Sequence, residues 1–257
     1  MNFLNNIPPV TKNLLIINVL MFLLQNFIPA INEQLALYFF MSPDFQSYQV
    51  LTHMFMHSTG GLSHIFFNMF GVYMFGSALE QRLGSVKFFK FYLMTGFGAV
   101  ILHSLSVYVE QYEIIQYLEV LKESMVIERE VVLKYLSGDD ADRVLSLYKE
   151  QETVNSIRIR PEDYPQIYSI LTGRVVGASG ALFGLLAGFA MLYPNQRLYL
   201  MFIPVPIKAK YFVIGYAAVE LFSGVTGTMN GIAHFAHLGG ALFGFIIIKF
   251  WKSKGSI

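Results

Sequence analysis

The chain has no cysteine. Disulfides, thiolate metal sites and cysteine nucleophiles are therefore excluded. Charge is scarce as well: 14% of residues are charged, against about 25% in soluble domains. The net charge is only +1, so no pull toward nucleic acid is expected. No internal repeat or low-complexity segment is present, and Lys and Arg are absent from 32–61 and 226–231. No small-residue cleavage site follows the first apolar run, which is read as a retained span rather than a signal peptide.

What fills the sequence is apolar: 54% hydrophobic residues, with 24 Phe and 15 Tyr. That is the composition of a membrane protein. A spanning helix needs about 20 mostly apolar residues. Six segments are predicted as spans: Leu14–Ile31, Leu62–Leu79, Phe88–Val109, Val175–Tyr193, Tyr211–Val225 and Ile232–Trp251. The fifth is short, and Pro204 and Pro206 oppose an earlier start. Six spans place both termini on one side. Lys12, then Arg82, Lys87 and Lys90, then Arg197, Lys208 and Lys210, then Lys249, Lys252 and Lys254 all fall at alternate turns and the termini. The positive-inside rule makes that side cytoplasmic.

Residues 110–174 break the pattern, with eight basic and thirteen acidic residues. Apolar positions Ile114, Ile115, Leu118, Leu121, Met125, Val132 and Leu136 recur at helical spacing. A small water-exposed helical insert is expected there, on the non-cytoplasmic side. The expected organisation is residues 1–109 and 175–257 forming one all-α membrane domain, interrupted by this insert. Loop 32–61 is long for a connection and suits an interfacial segment.

Polar residues inside spans are costly and mark candidate sites. Gly177-Ala178-Ser179-Gly180 opens the fourth span. A serine there lies beside free backbone N–H groups and the positive end of the helix dipole, which favour charge developing on an attacked carbonyl. Small residues at membrane helix interfaces explain the same pattern without chemistry. It is also not the soluble G-x-S-x-G elbow, because position 181 is Ala. In the sixth span, His237 within Ala236-His237-Leu238-Gly239-Gly240 is a candidate base for a serine hydroxyl, or a neutral histidine bonding across helices. Gly240 and Gly244 form a G-x-x-x-G step. His64 and Asn68, four residues apart at the start of the second span, share a face and suit either an oxyanion hole or interhelical hydrogen bonding. Rise per residue places Ser179, His64 and His237 about 6, 3 and 8 Å into their spans from the same outer side. A nucleophile, a base and two donors thus converge at one shallow level.

At these residues the chain resembles the rhomboid intramembrane serine proteases. Gly177-Ala178-Ser179-Gly180 is similar to the family's G-x-S-G motif, and Ala236-His237-Leu238-Gly239-Gly240 with Gly244 to its last-helix histidine motif. His64 and Asn68 resemble its H-x-x-x-N donors. Glu80-Gln81-Arg82-Leu83-Gly84-Ser85 resembles its E-x-R-x-G-S turn, and Thr52-His53-Met54-Phe55-Met56-His57 the segment entering the second helix. The resemblance covers all six spans but not the insert. It implies a six-helix rhomboid-like bundle in which Ser179 attacks and His237 takes and returns the proton. The Ser179 N–H, His64 and Asn68 would hold the oxyanion, and Phe183 would pack on the histidine, with Gly177, Gly180, Gly240 and Gly244 in support. It implies a dyad without an acidic third member, no cofactor and no metal. The implied partners are transmembrane protein substrates and membrane lipid; oligomeric state is left open.

His234, three residues before His237, is a competing base, but the Leu-Gly-Gly that follows favours His237. His53, His57 and His103 read as structural or interfacial. Glu220, inside the fifth span, is expected to hydrogen-bond a neighbouring helix or loop. Tyr48-Gln49 stands where the family often has Trp-Arg, a departure that touches loop anchoring rather than chemistry. Two other readings stay open: a non-catalytic member that binds transmembrane clients, which usually loses the serine or histidine, and a histidine-based metal or proton transporter. A core without an appended seventh span points to a prokaryotic cytoplasmic membrane.

Overall fold

The computed structural model describes residues 6–112, 115, 168, 170, 172–200, 203–228 and 233–257. Nearly all of the expected helical insert lies outside the described residues. The chain divides into two compact units: residues 1–37, 47–103 and 175–257, and residues 38–46 and 104–174. Within the second unit, Phe39, Ile115 and Ile170 form a small apolar cluster, with Met41, Val107 and Tyr108 against it.

In the first unit every expected span contains helix. Helix α1 is Pro9–Phe27 and α2 is Ala30–Leu35. Proline suits the first helical position because its missing N–H has no partner there, so α1 starts at Pro9, ahead of the predicted Leu14. It stops before Ile28 because Pro29 disfavours helical backbone in the residue preceding it. A short α3, Gln49–Thr52, follows. Helices α4, Ser63–Gly71, and α5, Ser77–Leu83, are joined by a π-helical stretch, Val72–Gly76. Gly84, at φ 78°, ends α5, a left-handed position where glycine avoids a Cβ clash. Then come α6, Ser85–Glu110, α7, Ser179–Leu192, α8, Ala209–Thr226, and α9, His234–Ser253. The fourth span's helix begins at Ser179, four residues after the predicted Val175, because Gly177 holds φ at 132°. The fifth begins at Ala209. The residues before it pair as an antiparallel hairpin, Arg197–Leu200 with Ile203–Lys208. A hairpin has two edge strands, so Pro204 and Pro206 are tolerated there while barring helix.

Among the described residues, α1, α6 and α9 are long and apolar enough to cross a membrane, and α7 is apolar but shorter. Their faces are inverted relative to a soluble protein. On α1 the polar Thr11, Asn18 and Gln25 are buried, while Ile16, Ile17, Val19, Leu20, Leu23 and Leu24 are exposed. Helices α6, α8 and α9 likewise expose Phe97, Ile101, Phe222, Phe245 and Ile246. Such surfaces are stable only against lipid, where helices satisfy their own backbone and bury polar groups inward. The chain is a polytopic helical membrane protein.

Several of the inner polar groups are paired. Gln25 Nε2 donates to the His57 carbonyl at 2.8 Å, and the His57 N–H returns a bond to Gln25 Oε1 at 2.9 Å. Glu80 accepts from the Val10 and Thr11 N–H groups at 3.0 and 2.7 Å, from Thr11 Oγ1 at 2.8 Å and from Ser85 Oγ at 2.7 Å. A carboxylate from α5 thereby caps the first turn of α1, where N–H groups lack helical partners and the dipole is positive.

Helix α7 is surrounded on all sides. A Cβ on Gly244 would lie 2.6 Å from the Gly184 carbonyl oxygen, and one on Gly240 would overlap the Gly180 carbonyl. A Cβ on Gly180 would come within 2.5 Å of Ala99 on α6. Only bare backbone allows helices this close. The main core gathers around α7, with Met54, Val72, Leu79, Phe88, Phe91, Tyr92, Leu185 and Ile248.

Candidate active site

The close crossing of α7 and α9 sets the geometry at their N-terminal ends. Ser179 is the first residue of α7, and His237 is the fourth of α9. The Ser179 Oγ lies 2.9 Å from His237 Nε2. The Phe183 ring, one turn beyond the serine, stacks on the imidazole with centroids 4.3 Å apart and planes 4° from parallel. Tyr216 of α8 also packs against Phe183, with ring centroids 4.7 Å apart. Contact on its face keeps the imidazole from turning away from the hydroxyl. A serine in hydrogen-bond reach of an oriented imidazole is the arrangement nucleophilic catalysis requires.

The approach to Ser179 is held by Gly177. Its N–H donates to the His53 carbonyl at 3.0 Å, which ties the segment before the serine to the segment entering α4. A Cβ at Gly177 would lie 3.3 Å from His64 Nε2 and 3.4 Å from Ser179 Oγ. His64 and the serine hydroxyl therefore flank one small space. The His64 Nδ1 accepts the Ser58 N–H at 3.0 Å, so in neutral His64 the proton sits on Nε2, the nitrogen nearer that space. Asn68 Nδ2 donates to the His64 carbonyl at 2.8 Å, and its buried Oδ1 has no hydrogen-bond partner.

His53 and His57 frame this region. Burial is the largest influence on each and pushes both pKa values down to about 4, so both are neutral at pH 7. His53 Nδ1 donates to the Gln49 carbonyl at 2.8 Å. The His57 ring lies 5.3 Å from His64, and neither of its nitrogens has a hydrogen-bond partner. Among the described residues no cluster of His, Asp and Glu is arranged to hold a metal.

His234 does not meet the serine. Its Nδ1 lies 2.6 Å from Glu220 Oε2, and its Nε2 lies 3.2 Å from the Thr228 carbonyl. The same Glu220 oxygen is 3.1 Å from His237 Nδ1. The resemblance implies no carboxylate beside the histidine, and sequence reasoning assigned Glu220 no place at the site. The available signal was an ionisable group in an apolar span, which must find a partner, with His234 one turn from His237 on a similar face of α9.

A serine–histidine pair within a polytopic helical membrane protein defines the class of molecule. Comparison with known proteins narrows it. The Rhomboid domain model matches residues 44–113 and 159–253, more than half of the sequence, and the chain belongs to the rhomboid family. It is similar to RHOMBOID-like protein 6, mitochondrial, of Arabidopsis thaliana, at 38% identity over 60 residues, covering 23% of this chain and 19% of that protein. It is also similar to Rhomboid protein 1, mitochondrial, of Saccharomyces cerevisiae, at 33% identity over 99 residues, covering 35% of this chain and 26% of that protein. The matched parts thus span no more than about a quarter of either relative. Both carry mitochondrial names, so the expected prokaryotic membrane gains no support from them.

Proposed function

We propose that the chain is an intramembrane serine endopeptidase that hydrolyses peptide bonds of transmembrane protein substrates near the outer interface. Ser179 is the nucleophile and His237 the general base, and the Ser179 N–H, His64 and Asn68 hold the oxyanion. The observation carrying this reading is the 2.9 Å contact between Ser179 Oγ and His237 Nε2, made beneath a stacked Phe183 at the first residue of α7. Six helical passes with both termini on the cytoplasmic side fit the basic residues at the turns.

Helix α7 has 14 residues, about 21 Å of helix, short of a hydrocarbon core of about 30 Å. Its N-terminus then lies below the membrane surface, where non-helical backbone such as Gly177 is tolerated only when buried in protein or lining a water-filled cavity; hydrolysis at Ser179 calls for the second. Such a cavity would supply the hydrolytic water. A helical substrate must unwind to present an extended backbone there, so helix-weakening residues near the cut promote cleavage. Binding of transmembrane clients without cleavage would not require an intact, contacting serine and histidine.

The test is cleavage of a generic transmembrane substrate by purified protein in lipid. The parent is expected to cleave, and Ser179→Ala and His237→Ala to lose cleavage while remaining folded. Parent-like cleavage by Ser179→Ala would sink the mechanism.

A further inference from the structure

An ionised carboxylate inside a membrane helix is stable only when paired, and Glu220 of α8 spends its pairing on the site. Its Oε2 lies 3.1 Å from His237 Nδ1, while the opposite nitrogen of the same ring, Nε2, lies 2.9 Å from Ser179 Oγ. We infer that Glu220 is a positioning residue for His237, making the site a serine–histidine–carboxylate relay in which His234 holds the carboxylate in place. The inference rests on the protease reading.

Tautomer logic comes first. A neutral imidazole accepts at one nitrogen and donates at the other. To take the serine proton at Nε2, His237 must carry its own proton on Nδ1. That Nδ1 is buried and has no hydrogen-bond partner; the oxygen 3.1 Å away is the carboxylate's. The contact is close enough for strong attraction but off-line for a hydrogen bond. A small rotation of either group aligns it, and resting sites of this kind commonly tighten on substrate binding. Occupied by Glu220, Nδ1 keeps its proton and Nε2 stays free to accept.

His234 supplies the support. Both its ring nitrogens face oxygens, Glu220 Oε2 at 2.6 Å and the Thr228 carbonyl at 3.2 Å, so the ring is anchored at one end and holds the carboxylate at the other. Glu220 is then fixed from α9 itself, one turn before the histidine it serves. The other titratable groups facing this cluster are His64 from α4 and Tyr216 from α8. His103 of α6 faces His53 instead.

The proton accounting is complete without titrating Glu220. As the Ser179 oxygen bonds to the scissile carbonyl carbon, its proton passes to His237 Nε2 and the carbonyl electron pair moves onto oxygen. Collapse breaks the carbon–nitrogen bond, and the Nε2 proton leaves with the amine. Water then attacks the acyl-serine, its proton taken by Nε2 and returned to Ser179. Each step passes through an imidazolium, and a carboxylate beside Nδ1 stabilises that charge as it forms.

The test compares the parent with Glu220→Gln and Glu220→Asp in the full chain, reading kcat and KM on a transmembrane substrate, thermal unfolding, and the imidazole N–H proton resonances. Glu220→Gln is expected to lose about 100-fold or more in kcat, with KM and unfolding temperature near the parent's. Glu220→Asp, which keeps the charge, is expected to recover at least tenfold over Gln. The parent should show a far-downfield Nδ1–H resonance, assigned to His237 by its loss in His237→Gln and moved upfield in Glu220→Gln. A kcat within threefold of the parent in Glu220→Gln overturns the inference, as does activity falling only in step with unfolding temperature. Should Glu220→Gln fail to fold, Glu220→Asp decides: a His237 resonance unchanged from the parent's supports the relay, and loss of the downfield signal in a folded protein overturns it. A parent that shows the resonance but cleaves nothing rejects the protease reading while leaving the His237–Glu220 bond established; a parent without it rejects the relay whatever it cleaves.

Discussion

Adding one methyl group at Gly240 tests whether the crossing of α7 and α9 sets the reactive distance. Gly240 is three residues past His237, and its partner in the crossing, Gly180, is bonded to Ser179. A Cβ at Gly240 would overlap the Gly180 carbonyl. At the next contact along the same seam, a Cβ on Gly244 would meet the Gly184 oxygen at 2.6 Å, about 0.8 Å inside ordinary contact. Relief at Gly240 requires the backbones to part by more than that, on the order of 1 Å. The bond between Ser179 Oγ and His237 Nε2 has little room for this: 2.9 Å plus such a displacement leaves hydrogen-bond range. A 1 Å misplacement costs about 10²-fold in rate, and overpacking costs about 1–3 kcal/mol in stability. Gly240→Ala is therefore expected to lower kcat/KM about 100-fold and to lower the unfolding temperature in detergent. Gly244→Ala should destabilise similarly but cost less activity, being a turn further from the serine. Gly240→Ala with parental kcat/KM and unfolding temperature would refute the argument that bare backbone contact sets the site.

Four further outcomes follow from the same structure. Glu80→Ala strands the Val10 and Thr11 N–H groups at the buried start of α1 and should cost about 3 kcal/mol, read as a lower unfolding temperature; Glu80→Gln, which still accepts hydrogen bonds, should cost less. His64→Ala removes a donor beside Ser179 and should reduce kcat about 10²-fold with KM little changed, measured by steady-state cleavage. Phe183→Ala frees the face of His237 and should lower kcat/KM, with Phe183→Tyr restoring it because the ring still stacks. Acid should loosen the segment entering α4. His53 and His57 have folded pKa values near 4 against 6.5 unfolded, so between those values the unfolded chain binds more protons and stability falls as pH drops. Unfolding temperature should decline through that window, and less steeply in His57→Gln.

Much of the protein was legible because local chemistry decides it. Lipid demands long apolar helices, so the helices that are long and apolar enough to cross a membrane, α1, α6 and α9, could be marked, and proline kept helix out of 203–208; the predicted first span runs through Pro29 to Ile31, past the end of α1 at Phe27. The serine at a helix start is read from the apolar pattern, and the aromatic ring one turn on comes from the family resemblance, with which helical spacing agrees. The meeting of Ser179 with His237, 58 positions apart, was expected from the similar depths of the two residues in their spans and from the family resemblance. The hairpin before α8 was not: residues 197–208 read only as a connection carrying Arg197 and Lys208, with prolines opposed to helix. Nor was the use of Glu80, which caps a helix some 70 positions earlier in the chain.

Glu220 marks the boundary most clearly. The sequence by itself determined that a carboxylate in an apolar span must be paired, and that histidines stand nearby in the chain. It did not determine that one carboxylate oxygen would reach both His234 and His237. That depends on the rotation of α8 about its axis and on the spacing between α8 and α9, which no local preference specifies. Only the packed tertiary structure, in which α7, α8 and α9 meet at one level, decided which nitrogen faces the serine and which faces the acid.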